Sequence, residues 1–344
     1  MKRKYNFDVD IVIPWVDGSD KKWLAKKNEY LSEENKIDID ASANRYRDWD
    51  NLQYVFRGIE KFAPWVRKVF LITDNQKPQW LNLKCDKLVL VDHKDYIPQQ
   101  YLPTFSSHPI ELNMHRIKGL SEHFIYLNDD LFFTKPNKVS DFFTKDGLPK
   151  ILAMESARAI GGDIIFYNIL SNNTNAIDSR FNRQDVKKSN KKQWYSLKSP
   201  IAFVINKFYD FSVRGGWAGF YIQHLPAPFL KSSIEECWNM FSKELELTSS
   251  HKFRSRYDVN QYLFTEYMLC TKRFKTIGFS YRGKSYYLND TKFNNVAKIC
   301  DAIKKQKHKT MCLNDVGISD FNKAKMQVNA ALNSILPQKS SFEI

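Results

Sequence analysis

Four short apolar runs constrain this chain more than any other feature, because three of them close on an acidic turn. Asp10-Ile11-Val12-Ile13-Pro14-Trp15-Val16 leads into Asp17-Gly18-Ser19-Asp20, and Lys68-Val69-Phe70-Leu71-Ile72-Thr73 into Asp74-Asn75-Gln76. Phe124-Ile125-Tyr126-Leu127 leads into Asn128-Asp129-Asp130, and Lys87-Leu88-Val89-Leu90-Val91 is the remaining run. Continuous apolar runs of this length read as strands buried on both faces. Between them, Trp23–Leu31 and Leu52–Phe62 carry helical spacing, and His115–His123 reads as a helix feeding the last strand. Strand and helix alternate as in a mainly parallel sheet with flanking helices, an architecture of the α/β class. Ligands of such sheets bind outside the carboxyl ends of the strands, where Asp17, Asp74 and Asp129-Asp130 stand.

The 344 residues suffice for a large core, and 43% are hydrophobic and 15% aromatic, which excludes a mainly disordered chain. The net charge of +15 favours a polyanionic partner: nucleic acid, an anionic membrane face or a phosphate-bearing substrate. Much of the excess lies in runs such as 187–192 and 304–309, which also suit solvated loops. Five cysteines without CxxC spacing suggest neither a zinc site nor a disulfide framework. No stretch has the uncharged length of a membrane span or a signal peptide, so a cytoplasmic chain is expected, resting at most on a membrane surface.

Beyond residue 150 the pattern loosens. Residues 161–167 read as a strand returning to the sheet, and 171–200, rich in Asn, Ser and Lys, as a flexible insertion. Ser233–Lys243, Asn260–Thr271 and Asp320–Leu336 have helical spacing. The expected division is an α/β core over 1–170, the insertion over 171–200, and a helical part over 201–344. Leu-Asn-Asp recurs at 127–129, 288–290 and 313–315, which three copies of a common tripeptide leave without weight.

Chemistry is concentrated in a few segments. Acids gathered at a strand end repel one another unless a cation neutralises them. A divalent ion shared with a diphosphate does so, with Asp130 and Asp129 as ligands; a turn with capping acids has the same pattern. Asp17-Gly18 is either an ordinary turn or, with Trp15, a frame for a nucleotide base and ribose. His224 is followed by Leu225-Pro226-Ala227-Pro228, whose prolines would hold an imidazole in one direction for general base work, although a lone histidine is more often structural. Basic residues surround Arg254 in the segment 251–258, and His115-Arg116 precede the acidic strand; both suit phosphate or a solvated surface. Walker A, GxGxxG, HExxH and GxSxG patterns do not occur, which sets aside P-loop kinases, dinucleotide folds, zincins and typical serine hydrolases.

Together these segments resemble the Stealth family of sugar-phosphate transferases. The first matching segment is 10–20. The second runs through Arg45-Tyr46-Arg47-Asp48, Arg57–Arg67, Thr73–Asn82, Leu102–Ser107, His115-Arg116-Ile117 and Phe124–Asp130. The third spans His224–Asp258, and the fourth is Cys312-Leu313-Asn314-Asp315. Residues 49–58 depart from the family's usual NDELRYSLRS in losing an acid and an arginine, while Arg57 keeps its place.

The resemblance implies a Rossmann-like, GT-A-like nucleotide-sugar transferase core with a helical carboxyl-terminal part. It further implies transfer of a sugar 1-phosphate from a nucleotide sugar, a UDP-sugar by expectation, to an acceptor sugar hydroxyl, with release of UMP. Carried over by position, the catalytic residues are Asp130, His224 and Arg254. Trp15, Asp17, Gly18, Asp74, Asn75, His115, Arg116 and Asn128 are expected to bind substrate, and Mg²⁺ or Mn²⁺ to sit at Asp130 and Asp129. The expected partners are the nucleotide-sugar donor, an anionic sugar-phosphate polymer as acceptor, and, peripherally, the inner membrane face or capsule assembly machinery, but not nucleic acid. A conventional nucleotide-sugar glycosyltransferase and, remotely, a basic nucleic-acid-binding protein are the rival readings.

Overall fold

The structure, a computed structural model, describes residues 5–32, 39–40, 46–157, 164–279, 281–289 and 295–344. Arg45, Asp290 and residues 161–163 of the expected returning strand lie outside the described residues.

The four apolar runs form strands as the sequence predicts. In chain order the first half holds β1 (Val9–Pro14), α1 (Lys21–Ser32), β2 (Ile39–Asp40), α2 (Leu52–Phe62), β3 (Val69–Thr73) and β4 (Leu88–Asp92). It continues with α3 (Ser107–Leu112), β5 (His123–Tyr126), β6 (Leu131–Phe133) and β7 (Lys150–Ile151). The central sheet has the order β4-β3-β1-β5, all parallel. Successive side chains of a strand point to opposite faces. Val12, Phe70, Ile72, Phe124 and Tyr126 accordingly enter one core, and Ile11, Ile13, Leu71, Ile125 and Leu127 the other.

Asp10 ties the amino-terminal edge of this sheet together. Its fully buried carboxylate accepts from Arg67 (2.9 and 2.5 Å), from the Lys68 amide (3.2 Å) and from the Ser121 amide (2.8 Å). One side chain on β1 therefore fixes the starts of both neighbouring strands. A buried carboxylate is tolerable only when its lone pairs are occupied in this way.

The second half holds α4 (Ile164–Asp178), α5 (Arg183–Ser189), α6 (Lys191–Trp194), α7 (Pro200–Ser212), β8 (Ala227–Leu230), α8 (Lys231–Met240) and α9 (Ser242–Ser250). Then follow β9 (Arg254–Ser255), α10 (Tyr262–Cys270), β10 (Lys275–Thr276), β11 (Gly283–Leu288), α11 (Val296–Lys304), β12 (Thr310–Asp315) and α12 (Phe321–Ile335). It is not a separate helical part. β8 joins the central sheet antiparallel to β5, and β12 lies between β11 and β6 in a three-stranded sheet.

Three expectations change. Ile164–Tyr167 open α4 instead of forming a strand. Residues 171–200 are not a loose insertion but helices around a buried ionic cluster. There Glu155 binds Arg183 (2.7 and 2.8 Å) and Lys187 (2.5 Å), and Trp194 is fully buried beside Trp217. The polar composition that suggested mobility is what fills that cluster. Finally, no helix spans His115–His123: after α3 there is one 3₁₀ turn, Met114–Arg116, and Gly119 at φ +80 turns the chain towards β5. Arg57, which keeps its place in the family pattern, grips Glu343 (2.7 Å) and the Leu336 carbonyl (3.0 Å) at the carboxyl-terminal tail.

Replacing Asp10 with alanine leaves Arg67 and two amides without their shared acceptor. The expected loss is roughly 3 kcal/mol of unfolding free energy, read by denaturant titration.

Candidate active site

At the carboxyl edge of the sheet, the chain leaves β5 as Leu127-Asn128-Asp129-Asp130 and enters β8 from His224-Leu225-Pro226. Tyr126 faces Ala227 across this antiparallel pair, so the two segments emerge side by side. His224 Nε2 lies 3.5 Å from Asp130 Oδ1 and 3.1 Å from the Asn128 side-chain nitrogen, and Nδ1 lies 3.1 Å from the Tyr262 hydroxyl. The Ser285 hydroxyl donates to the His224 carbonyl (2.7 Å). The imidazole is thus held on both ring nitrogens and at its backbone.

Electrostatics pull the pair in opposite directions. Burial lowers the His224 pKa, but the Asp130 charge and hydrogen bond, joined by Glu111, outweigh it and the net shift is upward. Burial raises Asp130, yet His224 and the Cys312 thiol (3.3 Å) carry it below the ordinary value. Cys312 arrives on β12, opposite Leu131 of β6.

Arg254 reaches the same cleft from β9. Its guanidinium donates to the Ser107 hydroxyl at the start of α3 (3.1 Å). One turn on, Glu111 accepts from the Tyr126 hydroxyl (2.7 Å). Burial raises the Glu111 pKa to about 7, against the pull of Tyr126, Arg254 and His224. Sequence reasoning missed Glu111, because an acid inside Ser107-His108-Pro109-Ile110-Glu111 carries no local mark of a site.

The Arg254 loop is itself built on a buried acid. Asp258, fully buried, accepts from His108 Nδ1 (2.7 Å), His251 Nδ1 (2.6 Å) and the Ser255 amide (2.9 Å). Phe253 stacks on Phe105 with ring centroids 5.3 Å apart. The segments 104–108 and 251–258 are thereby clamped together.

The other predicted residues divide. Gly18 is needed because a Cβ there would collide with the Tyr46 carbonyl. Trp15 packs against the core below β1, and the Gln76 side chain clasps the Asp17 backbone from both sides (2.9 and 3.0 Å). Asp74 pairs with Lys26 (3.0 Å), and Asn75 adopts φ +54, a turn position that asparagine tolerates. They follow β1 and β3 at the carboxyl edge of the sheet, the edge at which Asp130 follows β5. His115 and Arg116 do not share it. They follow α3 towards the amino-terminal edge, where Lys231 bonds the Glu122 carbonyl (2.8 Å), and line a separate groove. There Arg116 lies 4.8 Å over the Trp238 ring, and burial lowers the His115 pKa to about 3.

The cleft holds groups that could ligate a cation. Asp129 is exposed to solvent, so its burial is that of a crowded strand end and not of an enclosed side chain. Burial, then the charges of Asp130 and Asp48, raise its pKa to about 7, a repulsion that a divalent ion relieves. Asn128 Oδ1 is a buried oxygen without a hydrogen-bond partner, and Asp130 Oδ1 has only the His224 contact at 3.5 Å. Asp130, His224 and Cys312 also lie close enough to share an ion. Burial and the Asp130 charge push the Cys312 thiol far up, however, so it stays protonated and suits this role poorly.

Comparison with known proteins bears on this cleft. Conserved regions 1, 2 and 3 of Stealth proteins match residues 7–34, 45–151 and 223–269. The receptor polysaccharide phosphotransferase WefC of Streptococcus gordonii is 38% identical, covering 98% of this chain and 99% of its own length. The capsular polysaccharide phosphotransferase WcwK of Streptococcus pneumoniae is 37% identical over 98% and 99% of the two chains. The exopolysaccharide phosphotransferase cps2G of Lactiplantibacillus plantarum is 37% identical over 98% and 96%. Among solved structures, the apo form of the bifunctional glycosyltransferase WbbM aligns over 95% of this chain and 50% of its own, with TM-score 0.39 and 12% identity. A likeness that slight carries no argument.

Asp258 makes the site acid-sensitive. Burial alone raises its pKa, but the two histidines and the Ser255 amide bring it below the ordinary 3.8. Its stabilisation is therefore complete above the ordinary carboxylate range and is lost as pH falls through the lower folded value. Melting temperature is expected to fall in that acid window, and Asp258→Asn to flatten this fall while lowering stability at neutral pH.

Proposed function

The chain belongs to the Stealth family and is a phosphotransferase, and on that premise we propose that it transfers a sugar 1-phosphate from a UDP-sugar to a hydroxyl of a growing polysaccharide. The meeting of Asp130 and His224 at 3.5 Å, in one cleft with Arg254 and Glu111, carries this reading. The acceptor oxygen attacks the β-phosphorus, and the bond from that phosphorus to the bridging oxygen breaks. UMP leaves with the bridging electrons, and the anomeric C–O bond survives.

His224 takes the hydroxyl proton on Nε2. Asp130 raises the proton affinity of that nitrogen and stabilises the imidazolium that results, while Tyr262 holds the far side of the ring. Arg254, fixed by Ser107 and the Asp258 clamp, stabilises charge on the phosphoryl oxygens. Arg116 lines another groove, so we assign this task to Arg254. Glu111, near neutrality in its pKa, accepts a sugar hydroxyl or orients Arg254. Asp130 and Asp129 would hold Mg²⁺ or Mn²⁺, which would neutralise the diphosphate. Trp15, Asp17, Gly18, Asp74, Asn75 and Asn128 shape the nucleotide end of the cleft.

The work is done in the cytoplasm on an anionic sugar-phosphate polymer, which the charge of +15 attracts. No helix among the described residues is long and apolar enough to cross a membrane.

Incubation with a UDP-sugar, Mg²⁺ and a short acceptor is expected to release UMP and retain phosphorus in the product. UDP release instead would establish conventional glycosyl transfer. His224→Ala and Arg254→Ala are each expected to lower kcat on the order of 10²-fold or more, with the melting curve near wild type. Near wild-type rates in both would remove these residues from the mechanism.

A further inference from the structure

Helix α7 is built the wrong way round for a soluble protein. A surface helix ordinarily turns its apolar stripe to the core and its polar face to water. Here the polar residues make the attachment. Asn206 is fully buried, donating to the Ala153 and Trp194 carbonyls (3.0 and 2.7 Å) and accepting from the Glu155 amide (2.9 Å). Asp210 accepts from Lys187 (2.5 Å), Arg183 (3.0 Å) and the Tyr195 hydroxyl (2.6 Å), and the Tyr209 hydroxyl accepts from the Ala157 amide (2.7 Å).

Most of the large apolar residues of one face point out. Ile201, Val204, Phe208 and Phe211 follow one another at helical spacing and are 54%, 65%, 61% and 87% exposed; Leu197, just before the helix, is 80% exposed. Two exposed phenylalanines and three aliphatic residues on one face form a patch that needs an occupant.

Charge identifies the occupant. Between residues 191 and 214 lie Lys191, Lys192, Lys198, Lys207 and Arg214, all exposed, against the single acid Asp210. That acid is already paired with Lys187 and Arg183. A second copy of the chain laid on this face would bring two cationic rims together. A layer with anionic headgroups over an apolar interior satisfies both the rim and the phenylalanines.

We propose that α7 docks in the plane of an anionic lipid surface, with Leu197, Ile201, Val204, Phe208 and Phe211 in the acyl boundary and the five cations at the headgroups. Ala202 and Ile205, on the other side of α7, share a small apolar cluster with Tyr221 and Phe279, and Tyr221 lies three residues before His224. The membrane would therefore lie near the loop that brings His224 to the cleft. The inference does not depend on the chemistry proposed for that cleft, and its test reads binding instead of turnover.

The full-length protein is mixed with vesicles of phosphatidylcholine alone or with phosphatidylglycerol added, and flotation separates bound from free protein. Binding is expected to the anionic vesicles, to weaken with salt, and to fall about tenfold or more in a Phe208→Ser, Phe211→Ser double variant. The melting curve and turnover of a soluble acceptor are expected to be unchanged in that variant. Failure of the wild type to float with anionic vesicles, or equal flotation of the variant, overturns the proposal. So does a dimer in sedimentation velocity that the same double variant abolishes, which would assign the face to a second copy.

Discussion

Strand β8 lies antiparallel to β5, with Tyr126 opposite Ala227 and His123 opposite Leu230. Most of the candidate chemistry depends on this one pairing. In the parallel part of the sheet each strand delivers its following turn to the same edge, which is why Asp17, Asp74 and Asp130 all stand there. An antiparallel partner delivers its preceding residues to that edge instead. His224, nearly a hundred residues away in the chain, therefore meets Asp130 from the opposite chain direction. Any slip of register by one residue would turn Ala227 and Phe229 to the other face and carry the imidazole away from the carboxylate.

The cleft is organised by charges that oppose one another. Asp129 and Asp130 sit together at a strand end, and their pKa values diverge because Asp130 also has hydrogen bonds from the imidazole and the thiol. Glu111 is held near neutrality by burial. Such an arrangement is poor for stability and good for binding a cation and an anionic phosphate together. The surrounding structure is correspondingly over-determined: Asp258 has three donors, Gln76 holds the Asp17 turn through two bonds, and the Tyr46 carbonyl presses against Gly18. These buried hydrogen bonds fix the directions of groups that repulsion would otherwise spread.

Polar composition misled where it met tertiary structure. Residues 171–200 have the Asn, Ser and Lys content of a loop, yet Arg183 and Lys187 enclose Glu155, and Asn173 bonds Asn260 (2.7 Å). Composition reports how many groups need hydrogen-bond partners, not whether the fold supplies them. The reverse holds for α7, whose periodic Ile201, Val204, Phe208 and Phe211 would by pattern alone be assigned to a core. Only the positions of Asn206 and Asp210 in three dimensions show that this face is outward.

What the sequence by itself determined is local. The apolar runs specify strands, their acidic endings specify one functional edge, and the motif spacing specifies the family. These follow from side-chain period and turn chemistry within a dozen residues. Tertiary structure alone decided which distant groups meet: His224 with Asp130, Arg254 with Ser107, Glu111 with Tyr126. It also moved His115 and Arg116 to a different groove, because a 3₁₀ turn and Gly119 replace the helix that local spacing suggested. The physical reason is common to these cases. Local propensity acts through neighbours in the chain, whereas a site is assembled by strand order and register, which depend on the packing of the whole core.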